Sequence, residues 1–185
     1  MTAPAPSGPI RVCTTDADGT REVARVIAAQ LRAGDLLVLD GPLGAGKTTF
    51  TQGIGDALRV RGSVASPTFV IARAHPSLGD GPELVHVDAY RLGGLGDIED
   101  LDLDTDLDRA VTVVEWGRDL VEQLTDSHLL IEIDRPHVAS GTDPDDPDEP
   151  RTLTVHPDGP RWDEEAVRAL TSAVTGLTST SGEER

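Results

Sequence analysis

Residues Gly41-Pro42-Leu43-Gly44-Ala45-Gly46-Lys47-Thr48 fit the spacing G-x-x-x-x-G-K-[ST] in full. Three glycines and an alanine leave the backbone bare, so several N–H groups can close at once on a chain of phosphates that bulkier side chains would hold off. The lysine supplies a point charge for the β- and γ-phosphates, and the Thr48 hydroxyl supplies one oxygen for Mg2+. Lys47 is the only lysine among 16 basic residues. A chain that uses arginine everywhere else keeps lysine where a compact ammonium on a flexible stem is required.

Such a cradle needs a carboxylate at a neighbouring strand end to hold Mg2+ or its waters. Two apolar runs end in one: Leu84-Val85-His86-Val87-Asp88, and Val111-Thr112-Val113-Val114-Glu115 followed by Trp116-Gly117. The end of a buried strand lies at the carboxyl edge of the sheet, where open α/β folds bind ligands. Residue type alone leaves both Asp88 and Glu115 as candidates. Between the cradle and the next strand, Ser66-Pro67-Thr68 sits where a switch threonine senses the metal and the γ-phosphate; an ordinary structural turn fits the same three residues. Trp116 either walls the site or packs in the core. The histidines at 75, 86, 128, 137 and 156 show no ligand spacing and read as surface or strand residues. Cys13, the only cysteine, has no base or metal pattern beside it.

The elements that must position these groups follow from periodicity. Val23, Ile27 and Leu31 recur every fourth residue and predict an amphipathic helix over 20–31. Leu36 to Leu39 is a short continuous apolar run, as in a strand covered on both faces. A loop over 41–46 then feeds a helix from Lys47 to Leu58. Strands are expected at 69–74, 84–89, 111–115, 128–133 and 152–156, and helices at 117–124 and 163–174. Helices interleaved with apolar strands predict an α/β fold, a P-loop NTPase-like three-layer sandwich around a mostly parallel central sheet. One domain over 10–174 is expected, with a flexible lead at 1–9, an acidic Pro-rich insert at about 138–150 and a frayed tail at 175–185.

Composition narrows the class. The 185 residues suit one domain, and apolar residues at 37% allow a packed core. A formal charge of −17 disfavours unaided binding to nucleic acid or anionic lipid. No secretory signal or membrane-spanning run is evident, so a soluble cytoplasmic protein is expected. Seven acids and no base fall within 97–108. Such a run is most simply a solvated face; the sharper reading is a surface that docks on a basic partner.

Four segments, 41–50, Ser66-Pro67-Thr68-Phe69, His86-Val87-Asp88-Ala89-Tyr90-Arg91-Leu92 and Val114-Glu115-Trp116-Gly117, together resemble the TsaE family over about residues 14–135. This is the small bacterial ATPase of tRNA threonylcarbamoyladenosine formation. The resemblance implies ATP bound by Gly44, Ala45, Gly46, Lys47, Thr48 and Thr49, with Thr68 and Trp116 bordering it. It implies Thr48 and Glu115 as Mg2+ ligands and Asp88 behind the metal, so that Lys47, Glu115 and Asp88 form the catalytic set. It also implies TsaD and TsaB as protein partners, tRNA met only through their complex, and no membrane. Arg91 and Arg118 are candidate arginine fingers in cis. A small-molecule kinase and a non-catalytic nucleotide-gated module are the alternatives. The acidic stretch after Asp97, where a kinase would carry a basic lid, speaks against the first.

Overall fold

A computed structural model describes residues 8–67, 71–92, 107–135 and 149–180. In chain order the elements are β1 (Ile10–Thr14), α1 (Ala17–Ala28), β2 (Leu36–Asp40), α2 (Lys47–Leu58), β3 (Ala72–His75), β4 (Glu83–Asp88), β5 (Ala110–Glu115), β6 (His128–Asp134), β7 (Arg151–Asp158) and α3 (Glu164–Thr180). The strands form one sheet in the order β1-β7-β6-β2-β5-β4-β3. Its centre, β6-β2-β5-β4, is parallel, and the outer pairs β1–β7, β7–β6 and β4–β3 are antiparallel.

The middle of the sheet falls to β2 because Leu36 to Leu39 are apolar without a break, as burial on both faces demands. Alternation then sorts its side chains. Leu37 and Leu39 join the core built with Val23 and Ile27 of α1, Phe50 and Ile54 of α2, and Leu170 and Val174 of α3. Leu36 and Val38 face the other way, toward Val85, Val87, Ala110, Val114 and Val121. Among the described residues all three α-helices therefore lie on one face.

The second face differs from expectation. Residues 117–124 form turns and a short 3-10 segment at Glu122–Leu124 instead of an α-helix. Trp116 and Asp119 both take φ of 62°, and left-handed residues interrupt a right-handed helix. Leu120 and Leu124 still reach the core, so the apolar spacing serves a turn. Other differences are smaller. Strand β1 adds an element to those expected, its Ile10, Val12 and Thr14 buried in alternation with exposed neighbours. The described part of β3 begins at Ala72, while 69 and 70 lie outside the described residues, as do the acidic run at 97–106 and most of the insert. The last helix continues to Thr180, beyond the expected start of the tail. Among the described residues no helix is long and apolar enough to cross a membrane.

Helix α1 begins three residues earlier than its apolar stripe because Asp16 caps it, its Oδ1 accepting from the Gly19 N–H at 2.7 Å. That bond holds the Asp16 carboxyl below its ordinary value of 3.8. A lowered carboxyl contributes stability while ionised, and the contribution fades as pH falls through the folded-state value. Asp16→Ala is expected to cost about 1 kcal/mol at neutral pH. Thermal melts should show the gap between the two proteins closing in acid, below the carboxylate range.

The two helices beside the site pack closely. At Gly53 of α2 a Cβ would lie 2.4 Å from the Arg21 carbonyl oxygen and 2.7 Å from Ala24 Cβ. Only a bare α-carbon admits α1 at that separation.

Candidate functional site

The loop 41–46 joins the carboxyl end of β2 to α2. Its first turn is set by Asp40, whose Oδ1 accepts from the Gly41 N–H at 2.9 Å. Gly41 has φ of 144°, and a Cβ there would stand 2.3 Å from the Ile133 carbonyl oxygen, so a side chain would push the loop off the sheet edge. Helix α2 starts at Lys47 with no side-chain cap and no acid in its first turn. Its first amides and the positive end of its dipole are thus left to an anion in the loop.

Lys47 is 5% exposed. Its Nζ donates to the carbonyls of Gly41 at 2.6 Å and Pro42 at 2.9 Å, and lies 3.6 Å from the centre of the Trp116 ring. Burial pulls the ammonium below the ordinary lysine range, against the opposing pull of Glu115, Asp40 and Asp88. A partly desolvated cation gains most from a phosphate, because the cost of stripping its water has been met in the fold.

The carboxylates arrive by strand register. Asp88 and Glu115 are paired residues of β4 and β5, and Leu39 of β2 pairs with Glu115 from the other side. Leu39 faces the helical layer, so Glu115 and Asp88 face α2 as well. Thr48 Oγ1 donates to Glu115 Oε1 at 2.9 Å and lies 3.2 Å from Oε2. Asp88 accepts from Ser66 Oγ at 3.1 Å and from the Tyr90 N–H at 3.0 Å. A hydroxyl and a carboxylate meeting at the start of the helix are hard oxygen donors. They suit Mg2+, which takes one or two such protein groups and completes its shell with phosphate oxygens and water.

His86 departs from the expectation of an ordinary strand or surface histidine. It lies in β4, two residues before Asp88 and therefore on the same face, and is fully buried. Its Nε2 is 2.7 Å from Glu115 Oε1, while Nδ1 is buried without a hydrogen-bond partner among the described residues. With Glu115 ionised, Nε2 carries the proton and donates it, and the carboxylate is gripped from below by His86 and from above by Thr48.

Gly44 to Thr49, Asp88, Glu115 and Trp116 all border one cavity of about 540 Å³, a volume suited to a small-molecule ligand. Thr68 lies outside the described residues. Trp116 packs at the rim with Tyr90, their ring centres 5.2 Å apart. Arg118 does not join the site. It bridges Asp40 Oδ2 at 2.8 Å and Glu132 Oε1 at 2.6 Å, a pair in register on the opposite face of β2 and β6. The parity that turns Glu115 toward the loop turns these two acids away, and Arg118 follows them. Arg91 ends the short turn after Asp88. Two further cavity residues, Glu149 and Arg151, carried no signal in their local sequence.

Residues 14–141 match the family model of the threonylcarbamoyl adenosine biosynthesis protein TsaE. A protein named tRNA threonylcarbamoyladenosine biosynthesis protein TsaE from Streptomyces coelicolor is 61% identical over 143 residues, which cover 77% of this chain and 93% of that protein. One of the same name from Bacillus subtilis is 40% identical over 124 residues, 66% of this chain and 75% of that one. The crystal structure of Bacillus subtilis YdiB superposes with a TM-score of 0.64 at 30% identity, covering 92% of this chain and 96% of that chain. The fold is of the P-loop NTPase-like type, an α/β sheet with a parallel centre and the loop at its carboxyl edge.

Proposed function

The chain belongs to the TsaE family, and on that premise we propose that it binds and hydrolyses ATP with Mg2+ as a cytoplasmic component of the tRNA threonylcarbamoyladenosine machinery. It acts with TsaD and TsaB partners and meets tRNA only through them. The observation that carries this reading is the convergence at one helix start of a buried ammonium, Lys47, and the hydrogen-bonded oxygens of Thr48 and Glu115.

In this reading Lys47 exchanges the carbonyls of Gly41 and Pro42 for phosphate oxygens, and the loop amides complete the cradle. Thr48 and Glu115 would hold Mg2+, which when bound would withdraw charge from the outer phosphates. His86 keeps the Glu115 carboxylate aimed at that position. Asp88 fixes Ser66 and the turn at Tyr90. Catalysis is then chiefly positioning and charge stabilisation. Arg118 is tied to Asp40 and Glu132 on the opposite face of the sheet and does not border the cavity; a partner is assigned the role of completing the charge stabilisation.

Phosphate release from ATP by the purified chain is therefore expected to be slow, and to rise when TsaB and TsaD are added. Equal rates with and without them would overturn the partner dependence. Nucleotide binding without any release, partners included, would favour the non-catalytic module, and a phosphorylated small-molecule product would favour the kinase.

A further inference from the structure

Arg151 opens β7, beyond the segment that the family model matches, and its guanidinium is buried against the phosphate loop. Nε donates to the Ala45 carbonyl at 3.0 Å. Nη1 donates to the Glu149 carbonyl at 2.8 Å, the Glu149 carboxylate at 3.0 Å and the Pro150 carbonyl at 3.1 Å. The Glu149 carboxylate is buried too, and Arg135 Nε, just after β6, donates to it at 2.7 Å. A loop carbonyl is thus tied to the end of β6 through two guanidinium groups and one carboxylate.

We propose that Arg151 is a positioning residue for the phosphate loop: by holding the Ala45 carbonyl it sets the Ala45–Gly46 peptide so that the Gly46 N–H faces the phosphates. The inference rests on the nucleotide reading given above. A trans peptide is planar, with its C=O and N–H pointing in opposite directions. A carbonyl drawn to Arg151 therefore turns the following N–H away from it. The restraint falls where the loop most needs one, because Gly46 has φ of 107°, a conformation glycine enters and leaves at little steric cost. Left alone, this peptide can turn over and present its carbonyl to the anion, the wrong polarity for a phosphate site. A charge-assisted bond from a buried guanidinium, itself fixed by Glu149, opposes that rotation.

The test is calorimetric titration of Mg·ADP into the full chain and its Arg151→Met, Arg151→Gln and Arg151→Lys variants, alongside thermal melts and the Gly46 amide signal in nitrogen-15 spectra. Arg151→Met and Arg151→Gln are expected to stay folded and to bind about tenfold more weakly, the order of one charge-assisted bond. Arg151→Lys, which keeps a charged donor for Ala45, should recover part of the loss. The Gly46 signal of the ligand-free Met variant should move, while amides in the last turn of α2 stay in place. A purely structural role would lower melting temperature and leave the affinity of folded protein unchanged. Affinity within twofold of wild type in a folded Arg151→Met or Arg151→Gln variant would overturn the proposal. Should both fail to fold, Glu149→Gln, which loosens the brace and keeps Arg151, must weaken Mg·ADP binding in the same direction, and unchanged affinity there overturns it equally. A wild type that does not bind Mg·ADP overturns the nucleotide reading and this inference with it. A wild type that binds beside a variant that binds equally well overturns the inference alone.

Discussion

Glu115→Ala is expected to stop phosphate release while sparing most nucleotide affinity. The carboxylate is 3% exposed and is held by Thr48 Oγ1 and His86 Nε2, so its position is fixed before any ligand arrives. Removing one preorganised group of this kind lowers turnover by about 10²- to 10³-fold. Affinity is preserved because the loop amides, the helix terminus and Lys47 still meet the phosphates. Alanine would also leave the His86 ring buried with neither nitrogen bonded, an unsatisfied polar group that costs about 1–3 kcal/mol of stability. Glu115→Gln separates the two effects: the amide oxygen can still accept from His86 or Thr48, so stability should largely return while turnover stays low. Phosphate release with partners present, read beside thermal melts, checks both. A wild-type rate in Glu115→Ala would remove the residue from the mechanism.

Lys47→Ala should act on binding itself. The ammonium has few water contacts to give up, and its present partners are two carbonyls and the Trp116 ring. Loss of a charged hydrogen bond of this type costs about 1.5–3 kcal/mol, or roughly 10- to 150-fold in affinity. Lys47→Arg should not rescue it, because a planar guanidinium cannot occupy a space shaped for a point charge beneath the loop. Calorimetry with Mg·ATP measures both variants. Affinity within a factor of two of wild type in Lys47→Ala would remove the ammonium from phosphate recognition.

The parts legible in the sequence were those whose information is local. The loop from Gly41 to Thr48 carries its geometry in glycine spacing, and the strands ending in Asp88 and Glu115 carry theirs in apolar runs closed by an acid. The sheet's parallel centre followed from the same runs. What escaped depends on distant partners. His86 acquires its role only when β4 and β5 pair and bring Glu115, 29 residues away, onto the same face. Arg151 meets Ala45 across 106 residues, and nothing near Arg151 marks that contact. Residues 117–124 misled because Leu120, Val121 and Leu124 have helical spacing, while the left-handed conformations at Trp116 and Asp119 are a property of the folded chain. Arg118 was a reasonable finger by type, but strand parity placed its acids, Asp40 and Glu132, on the far face.

The missing side chain at Gly53 has a mechanical consequence. With the backbones of α1 and α2 in direct contact there, and Arg25 joined to Asp56 at 3.0 Å along the same seam, the two helices form a stiff lever with no joint between its arms. Any displacement of α2 would carry α1 with it, so the two helices move as one body.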